Sequence, residues 1–370
     1  MNTEYTPKHY SWPSIEQFSH VRREVRNRTQ FQGLDANNEP IINHLAESPT
    51  ISYRGTVKLH GTSAAIVYNP DGTFYAQSRS NVITPTKDNA GFARFVHMLP
   101  ESVHDTLRKR AVDGLSLDTK QSRVVVYGEW AGPGIQAGVA ISKLPQKTFF
   151  IFGVRIFNLS DDPDDTVQDR SIALAGETIY SLPDHNIHNI LDFPTYKMEI
   201  DMERPEECIN KMNALTLEVE KECPVAKAFG IQGIGEGIVW SPTYNPDMPQ
   251  NWHDGRFNSS RFRFKVKGAE HSKSHVKTLA TVDVEKFKNL EAFVDNVLNN
   301  ARLEQGWDKL VELHLPQDVT STGKFLSWVV ADIIKENQPE MIESNISDKE
   351  VGKHVQLKAR RWYMDKVNKQ

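Results

Sequence analysis

Residues 51–68 read ISYRGTVKLHGTSAAIVY, and the fold turns on how this stretch divides. Ile51 to Val57 leans to β structure, and Ser63 to Tyr68 reads as a second strand. Between them Lys58-Leu59-His60-Gly61-Thr62 makes a tight corner, with a lysine at a strand end and a glycine soon after. A strand-end lysine backed by a turn is held still and partly desolvated, and desolvation disfavours the ammonium form. Such an amine is available as a nucleophile. A lone K-x-x-G is an ordinary turn far more often than a site. The meaning of Lys58 therefore depends on the partners the rest of the chain supplies.

Downstream, Asn69-Pro70-Asp71-Gly72 is a strong turn signal, and Thr73 to Gln77 returns as the second arm of a hairpin. That arm ends at Ser78-Arg79-Ser80 and carries Arg79 back towards the lysine end of the sheet. Over 89–112, Phe92, Phe95, Val96 and Leu99 recur at helical spacing. Arg123 to Tyr127 reads as a buried strand ending at Gly128-Glu129-Trp130, and Lys147 to Phe157 (KTFFIFGVRIF) as another. The glycine-rich run 131–138 lacks the lysine and hydroxyl of a phosphate-cradling loop. Residues 205–222 predict a helix and 230–235 a loop. Glu236-Gly237-Ile238-Val239-Trp240 then reads as a strand headed by a carboxylate. Arg261 to Lys267 alternates strictly, which places Arg261, Arg263, Lys265 and Lys267 on one strand face and Phe262, Phe264 and Val266 on the other. Four cations on one face repel one another unless they look onto phosphate.

Upstream, residues 14–26 predict a short amphipathic helix with Ser14 as its N-cap, and 37–49 a polar, turn-rich stretch. Arg22, Arg23, Arg26 and Arg28 read first as a solvated helix face. Asp161-Asp162-Pro163-Asp164-Asp165 reads as a solvated loop, and His185 and His188, amid turn-forming neighbours, make a weak metal pair. After Ser274 the patterns become helical: Val284 to Leu298, Phe325 to Ile333, and Val351 to Val367. The last helix joins Lys353, Lys358, Arg360, Arg361 and Lys366 to Trp362 and Tyr363. That set suits a nucleic-acid backbone; a solvated face with core aromatics explains it equally well.

A chain of 370 residues has room for two domains. With 38% hydrophobic and 25% charged residues it is globular rather than disordered. No run of 18 apolar residues occurs, the first residues carry no signal-peptide pattern, and no membrane partner is expected. Two cysteines, Cys208 and Cys223, with no CxxC pair argue against a zinc knuckle or disulfide framework and for a reducing cytoplasm, that of the host if the source is viral. At a net charge of −4 any nucleic-acid contact must use locally concentrated positive charge.

A strand-end lysine, an arginine after a hairpin, two strand-linked carboxylates and a terminal basic strand are the parts that ATP-dependent nucleotidyl transfer needs. In order and spacing over residues 50–270 they resemble the motifs of the covalent nucleotidyltransferases, and among these the RNA ligase 2 family. Lys58-Leu59-His60-Gly61-Thr62 resembles the motif whose lysine takes AMP as a phosphoramidate; the histidine favours RNA ligases over DNA ligases and capping enzymes, which usually carry aspartate there. By the same resemblance Arg79 contacts the reactive phosphate or RNA end, Glu129 binds ribose, and Phe152, with Phe149 and Phe150 as neighbours, stacks on adenine. Glu236 is linked to metal, and Lys265 and Lys267 touch the α-phosphate. Ser63 stands where the family commonly has asparagine.

The resemblance implies an α+β nucleotidyltransferase (ATP-grasp-like ligase) core of antiparallel sheets with flanking helices over 1–275, and a small all-helical C-terminal domain over 276–370 that engages nucleic acid. It implies a monomeric ATP-dependent RNA ligase acting in RNA repair. Such an enzyme seals 5′-phosphate and 3′-hydroxyl ends, those of a nicked duplex among them, through lysyl-AMP and 5′-adenylylated RNA, with Mg²⁺ or Mn²⁺. Lys58, Gly61, Arg79, Glu129, Phe152, Glu236, Lys265 and Lys267 would bind the nucleotide, with His60 orienting the reacting groups. A DNA ligase or capping-type guanylyltransferase, or a non-catalytic RNA-binding protein, are the alternatives.

Overall fold

The structure, a computed structural model, describes residues 7–43, 46–111, 122–158, 169–170, 181–243, 262–268, 290–343 and 346–368. The chain divides into two compact units, residues 1–267 and 268–370. The expected domain boundary at 275/276 lies outside the described residues.

The first unit opens with helix α1 (Phe18–Gln30), then β1 (Phe31–Leu34), β2 (Pro40–Ile42), β3 (Thr50–Lys58), β4 (Thr62–Tyr68), β5 (Phe74–Ser78) and β6 (Val82–Ile83). Helices α2 (Phe92–Met98) and α3 (Glu101–Ala111) lead to β7 (Ser122–Ala131), β8 (Thr148–Asn158), β9 (Asp169–Arg170), β10 (Ile187–Asn189) and β11 (Thr195–Asp201). Helices α4 (Glu206–Lys221) and α5 (Pro224–Ala228) precede β12 (Gly237–Pro242) and β13 (Phe264–Lys267). The strands form two main sheets: a four-stranded one in the order β11-β3-β12-β13, and a larger one in the order β10-β8-β7-β4-β5-β6 with β9 on β8. Pairing is antiparallel except between β10 and β8, which are parallel.

The corner at Leu59-His60-Gly61 is where the chain leaves the first sheet for the second, because β3 ends at Lys58 and β4 starts at Thr62. Strand alternation decides which faces are buried. In β3, Ile51, Tyr53 and Val57 turn inward, and in β12 so do Ile238 and Trp240; all join a core that includes Ile209, Met212 and Val219 of α4. The back of the larger sheet buries Ile66, Val124, Val126, Phe149 and Ile151 against Phe92, Val96, Val103 and Leu107 of α2 and α3. The two remaining faces border the cleft described below.

Several expectations are corrected. The first helix begins at Phe18 with Gln17 as its cap, not at Ser14, because Glu16 is drawn into a bridge with Phe264. Three of its arginines make defined contacts: Arg22 donates to the Met202 and Glu203 carbonyls, Arg26 pairs with Glu203, and Arg28 with Glu24, while Arg23 and Arg26 lie on the exposed face as expected. The single helix over 89–112 is two, broken between Met98 and Glu101 around Pro100. Glu129 lies inside β7 rather than beyond its end. The polar stretch 37–49 contributes β2 to a hairpin, and β10 and β11 are strands that periodicity did not reveal. His188 packs among Phe150, Phe193 and Phe229, which leaves no room for a metal reading. The acidic run 161–165 lies outside the described residues.

The second unit has α6 (Leu290–Val297), α7 (Asn300–Glu312), α8 (Thr322–Glu343) and α9 (Asp348–Val367) around a core of Phe293, Trp307, Phe325, Val329, Val355 and Tyr363. A Ser347–Glu350 capping box fixes the start of α9. Val284 and Phe287 lie outside the described residues, and α7 had no counterpart in the sequence reading. Among the described residues no helix is long and apolar enough to cross a membrane.

Candidate active site

The register of the four-stranded sheet places its cations. Gly237 of β12 pairs with Lys58 of β3 on one side and Lys267 of β13 on the other. Directly paired residues of an antiparallel sheet share a face, so two lysines flank one glycine across three strands. A Cβ at Gly237 would fall 2.2 Å from the Val266 carbonyl oxygen, and its φ of +148° disfavours any side chain. Only glycine lets β12 lie between its neighbours here. Glu236, one residue earlier and buried, sends its carboxylate into this row. Lys58 Nζ donates to Oε2 at 2.6 Å, Lys267 Nζ lies 2.9 Å from Oε1, and His60 Nδ1 lies 3.4 Å from Oε2. Burial alone would push the Glu236 carboxyl up; the ammonium groups of Lys267 and Lys58, with His60, outweigh it and hold the group well below the usual carboxylate range. Lys58 thus sits in a largely buried ion-pair network with Glu236 and Lys267.

The next row along the same face is Thr56, Val239 and Lys265, and one beyond it are Arg54 and Ser241. Arg263 reaches that row by donating its Nε–H to Ser241 Oγ at 3.1 Å. Arg263 was expected to face phosphate with the lysines. It is buried instead, its guanidinium 4.8 Å from the centroid of the Trp12 ring. Arg261 lies outside the described residues.

The larger sheet supplies the opposite wall. Gly61 donates its N–H to Glu129 Oε1 at 2.9 Å, which ties the corner to β7. A Cβ at Gly61 would fall 2.4 Å from the Trp130 carbonyl oxygen, so a side chain would break this contact. Burial pushes Glu129 up to about 7, against the lowering effects of Lys58 and the Gly61 N–H. In β8 the register steps from Ile151 opposite Gly128 to Gly153 opposite Tyr127, so Phe152 is the extra residue of a bulge. The bulge re-aims the strand and separates the three candidate phenylalanines. Phe149 is locked into the helix-backed core, Phe150 is fully buried, and Phe152 is half-buried at the cleft.

Both walls bound an open cleft whose lining includes Lys58, Glu129, Phe152, Val239, Arg263 and Trp12. Trp12 and Ile15, which sequence reasoning missed, come from the first residues of the chain. That segment straps the sheets together. Tyr10 exchanges backbone bonds with the Gln77 side chain at 3.0 and 2.6 Å and accepts from Tyr127 Oη at 2.8 Å. Glu16 bonds the backbone of Arg263 and Lys265 at 3.1 Å each. The aromatic run His9-Tyr10-Ser11-Trp12 was the only trace of this in the sequence.

Of the residues singled out from sequence, Lys58, His60, Gly61, Glu129, Phe152, Glu236 and Lys267 are thus brought to one cleft. Lys265 lies one row away on the same face, half-buried. Arg79 is exposed just past β5, whose Ser78 pairs with Ala64 near the start of β4, so the hairpin does return it to the corner's end of the sheet; it makes no ion pair among the described residues. Chemically, the cluster pairs an amine with a carboxylate at 2.6 Å and keeps a surplus of cations over anions, as a polyphosphate requires. Among the described residues no three His, Cys, Asp or Glu side chains gather as a metal cage. Such a site suits an ion that takes a single carboxylate and draws its other ligands from phosphate and water.

A model of one protein family, described as RNA ligase, matches residues 51–267. The solved structures similar to this chain include those of a Naegleria gruberi RNA ligase. One is a lysine mutant with ATP and Mn, at 15% identity and a TM-score of 0.39, covering 72% of this chain and 58% of that one. Another, with PPi, has 13% identity and a TM-score of 0.34 over the same spans. The chain thus covers 58% of the length of these structures. No curated protein matches it.

Proposed function

The chain belongs to the RNA ligase family, and on that premise we propose that it is an ATP-dependent ligase that joins RNA ends through a lysyl-AMP intermediate. The observation that carries the reading is the row of Lys58, Glu236 and Lys267 at the end of an aromatic-walled cleft.

In the first step Lys58 Nζ, beside the Lys267–Glu236 pair and 2.6 Å from Glu236 at rest, loses a proton to solvent and bonds the α-phosphorus of ATP. The bond from that phosphorus to the bridging oxygen breaks and pyrophosphate leaves. Lys267 and Lys265 offset the charge that develops on the phosphoryl oxygens. Glu129 fixes the ribose, and the base lies between Phe152 and Val239. In the second step an oxygen of an RNA 5′-phosphate bonds the α-phosphorus, the N–P bond breaks, and the amine regains its proton. In the third a 3′-hydroxyl attacks the activated 5′-phosphorus, loses its proton and expels AMP. His60 and Arg79 orient the phosphates in the last two steps. A Mg²⁺ or Mn²⁺ held by Glu236 would neutralise and orient the triphosphate when bound.

The helical unit serves as the RNA-engaging part, with a narrower surface than the sequence suggested. Tyr363 is in the core, Trp362 stacks on Phe325 at 5.8 Å, and Lys358 and Lys366 pair with Asp295 and Glu304. Lys353, Arg360 and Arg361 remain exposed on α9 for phosphate contacts. We read the enzyme as a cytoplasmic monomer acting in RNA repair, consistent with its two free cysteines.

Incubation with α-³²P-ATP and Mg²⁺ tests the reading. The wild type should carry a covalent label, stable to denaturation, that Lys58→Ala lacks. A label persisting on that variant would remove the central claim. Labelling by GTP in preference to ATP would favour a capping-type activity, and absence of pyrophosphate release would leave only RNA binding.

A further inference from the structure

Alternation along β3 puts Ser52, Arg54, Thr56 and Lys58 on the face that borders the cleft, while Tyr53 and Val57 turn into the core. The polar side chains of that face are engaged, with one exception. Ser52 Oγ donates to Glu199 Oε1 at 3.5 Å, Arg54 is engaged too, and Lys58 donates to Glu236. Thr56, between the last two, makes no side-chain hydrogen bond among the described residues. It lines the cleft and keeps 8% exposure there.

Its place in the sheet says what could reach it. Thr56 pairs directly with Val239, and directly paired residues share a face with their Cβ atoms about 4.5–5.5 Å apart. It stands one row along from Lys58 and Lys267, roughly 7 Å by the rise of two strand residues. A nucleotide with its α-phosphate at those lysines and its base on Val239 therefore brings an edge of that base to Thr56. Packing alone does not call for the hydroxyl. Valine has the same shape and suits a strand as well, and a hydroxyl held nine-tenths out of water without a partner is unfavourable. A purine edge supplies the partner, because its ring nitrogens accept, an exocyclic amine donates, and a hydroxyl does both.

We infer that Thr56 is a base-recognition residue whose hydroxyl hydrogen-bonds the edge of the purine seated on Val239. The inference rests on the reading of the cleft as an ATP site and deepens it by assigning base recognition to the strand that carries the nucleophile. Thr56 touches the base and no reacting atom, so its loss falls on KM for ATP rather than on kcat of lysyl-adenylate formation.

The test measures lysyl-adenylate formation by the full chain as wild type, Thr56→Val and Thr56→Ser. Each is given ATP and analogues that lack one edge group: purine riboside triphosphate, without the 6-amino group, and 1-deaza-, 3-deaza- and 7-deaza-ATP. Thr56→Val should raise KM for ATP about fivefold, the size of one neutral hydrogen bond, and Thr56→Ser, which keeps the hydroxyl, should stay within about twofold of wild type. One analogue should carry the same penalty in the wild type, and the valine variant should use that analogue as well as it uses ATP. Should valine destabilise the strand, Thr56→Ala gives the same comparison. A KM for ATP that loss of the hydroxyl leaves at the wild-type value overturns the inference. So do an equal rise in Thr56→Ser and analogue penalties that the valine variant leaves unchanged. A wild type that forms no adenylate with any nucleotide would instead refute the ATP reading beneath it.

Discussion

Glu236→Gln removes one charge from the centre of the site and almost no volume. The wild-type carboxylate is buried and takes Lys58 at 2.6 Å and Lys267 at 2.9 Å, with His60 at 3.4 Å. Removing one member of a buried ion pair costs about 3–5 kcal/mol when the remaining charge stays dry. Here the two lysine side chains keep 20% and 14% exposure at the cleft, so their ammonium groups recover some hydration. The expected loss is therefore nearer 2–3 kcal/mol, or roughly a hundredfold in the folding equilibrium. Urea unfolding at pH 7 measures it. The sign of the pH dependence follows from the depressed Glu236 carboxyl. Such a group contributes stability that is full above its unfolded value near 4.5 and is lost as pH falls through the folded value. The deficit of the glutamine variant should thus be full at pH 7 and shrink only below about pH 4.5, where the wild type loses the same interaction. A variant as stable as wild type at pH 7 would refute the network's structural role. A deficit that stays constant far into the acid range would refute its electrostatic origin.

Five further substitutions separate the parts of the site from the surrounding scaffold. Gly237→Ala puts a Cβ 2.2 Å from the Val266 oxygen at a φ of +148°, and should cost about 2–4 kcal/mol by denaturant unfolding. Gly134→Ala, with φ at +74° but open space around it, should cost only about 1 kcal/mol. Phe152→Ala should raise the KM for ATP by up to about tenfold with little change in stability, whereas Phe149→Ala, in the helix-backed core, should cost about 3–5 kcal/mol of stability. Glu129, raised to about 7 in the folded protein against 4.5 unfolded, binds its proton more tightly when folded, so its contribution to stability falls as pH rises between those values. The fall is at most about 3 kcal/mol, and less because the cleft opens to solvent. Glu129→Gln should remove that slope from the stability–pH profile, gaining on wild type between pH 5 and pH 8.

Much of the first unit was legible because its signals are local. The K-L-H-G corner, the Asn-Pro-Asp-Gly turn and the alternating run before Lys267 each fix their own geometry through backbone preference and period. Short strands such as β10 and β11 escaped because their pairing partners, not their own periodicity, make them strands. The same reason hid the burial of Arg263. Alternation correctly put it on the face of Lys265 and Lys267, but nothing local shows that Trp12, 251 residues earlier, covers that end of the face. In the second unit, the sequence left Tyr363 and Trp362 open between ligand-facing and core aromatics, because the helix face they occupy depends on Phe325 and Trp307, in other helices.

The separation in sequence has a physical consequence. The corner carrying Lys58 can form from a dozen consecutive residues, but its carboxylate partner is 178 residues away. That partner arrives only when β12 inserts between β3 and β13. Insertion in turn requires Gly237, and the far side of β13 is closed by Glu16 of the strap. The lysine therefore has its carboxylate partner and its second cation beside it only in the completed four-stranded sheet. The row of Lys58, Glu236 and Lys267 is thus assembled only in the folded protein, and on the proposed lysyl-AMP route a substitution that loosens β12 should weaken adenylylation even where it leaves every cleft side chain in place.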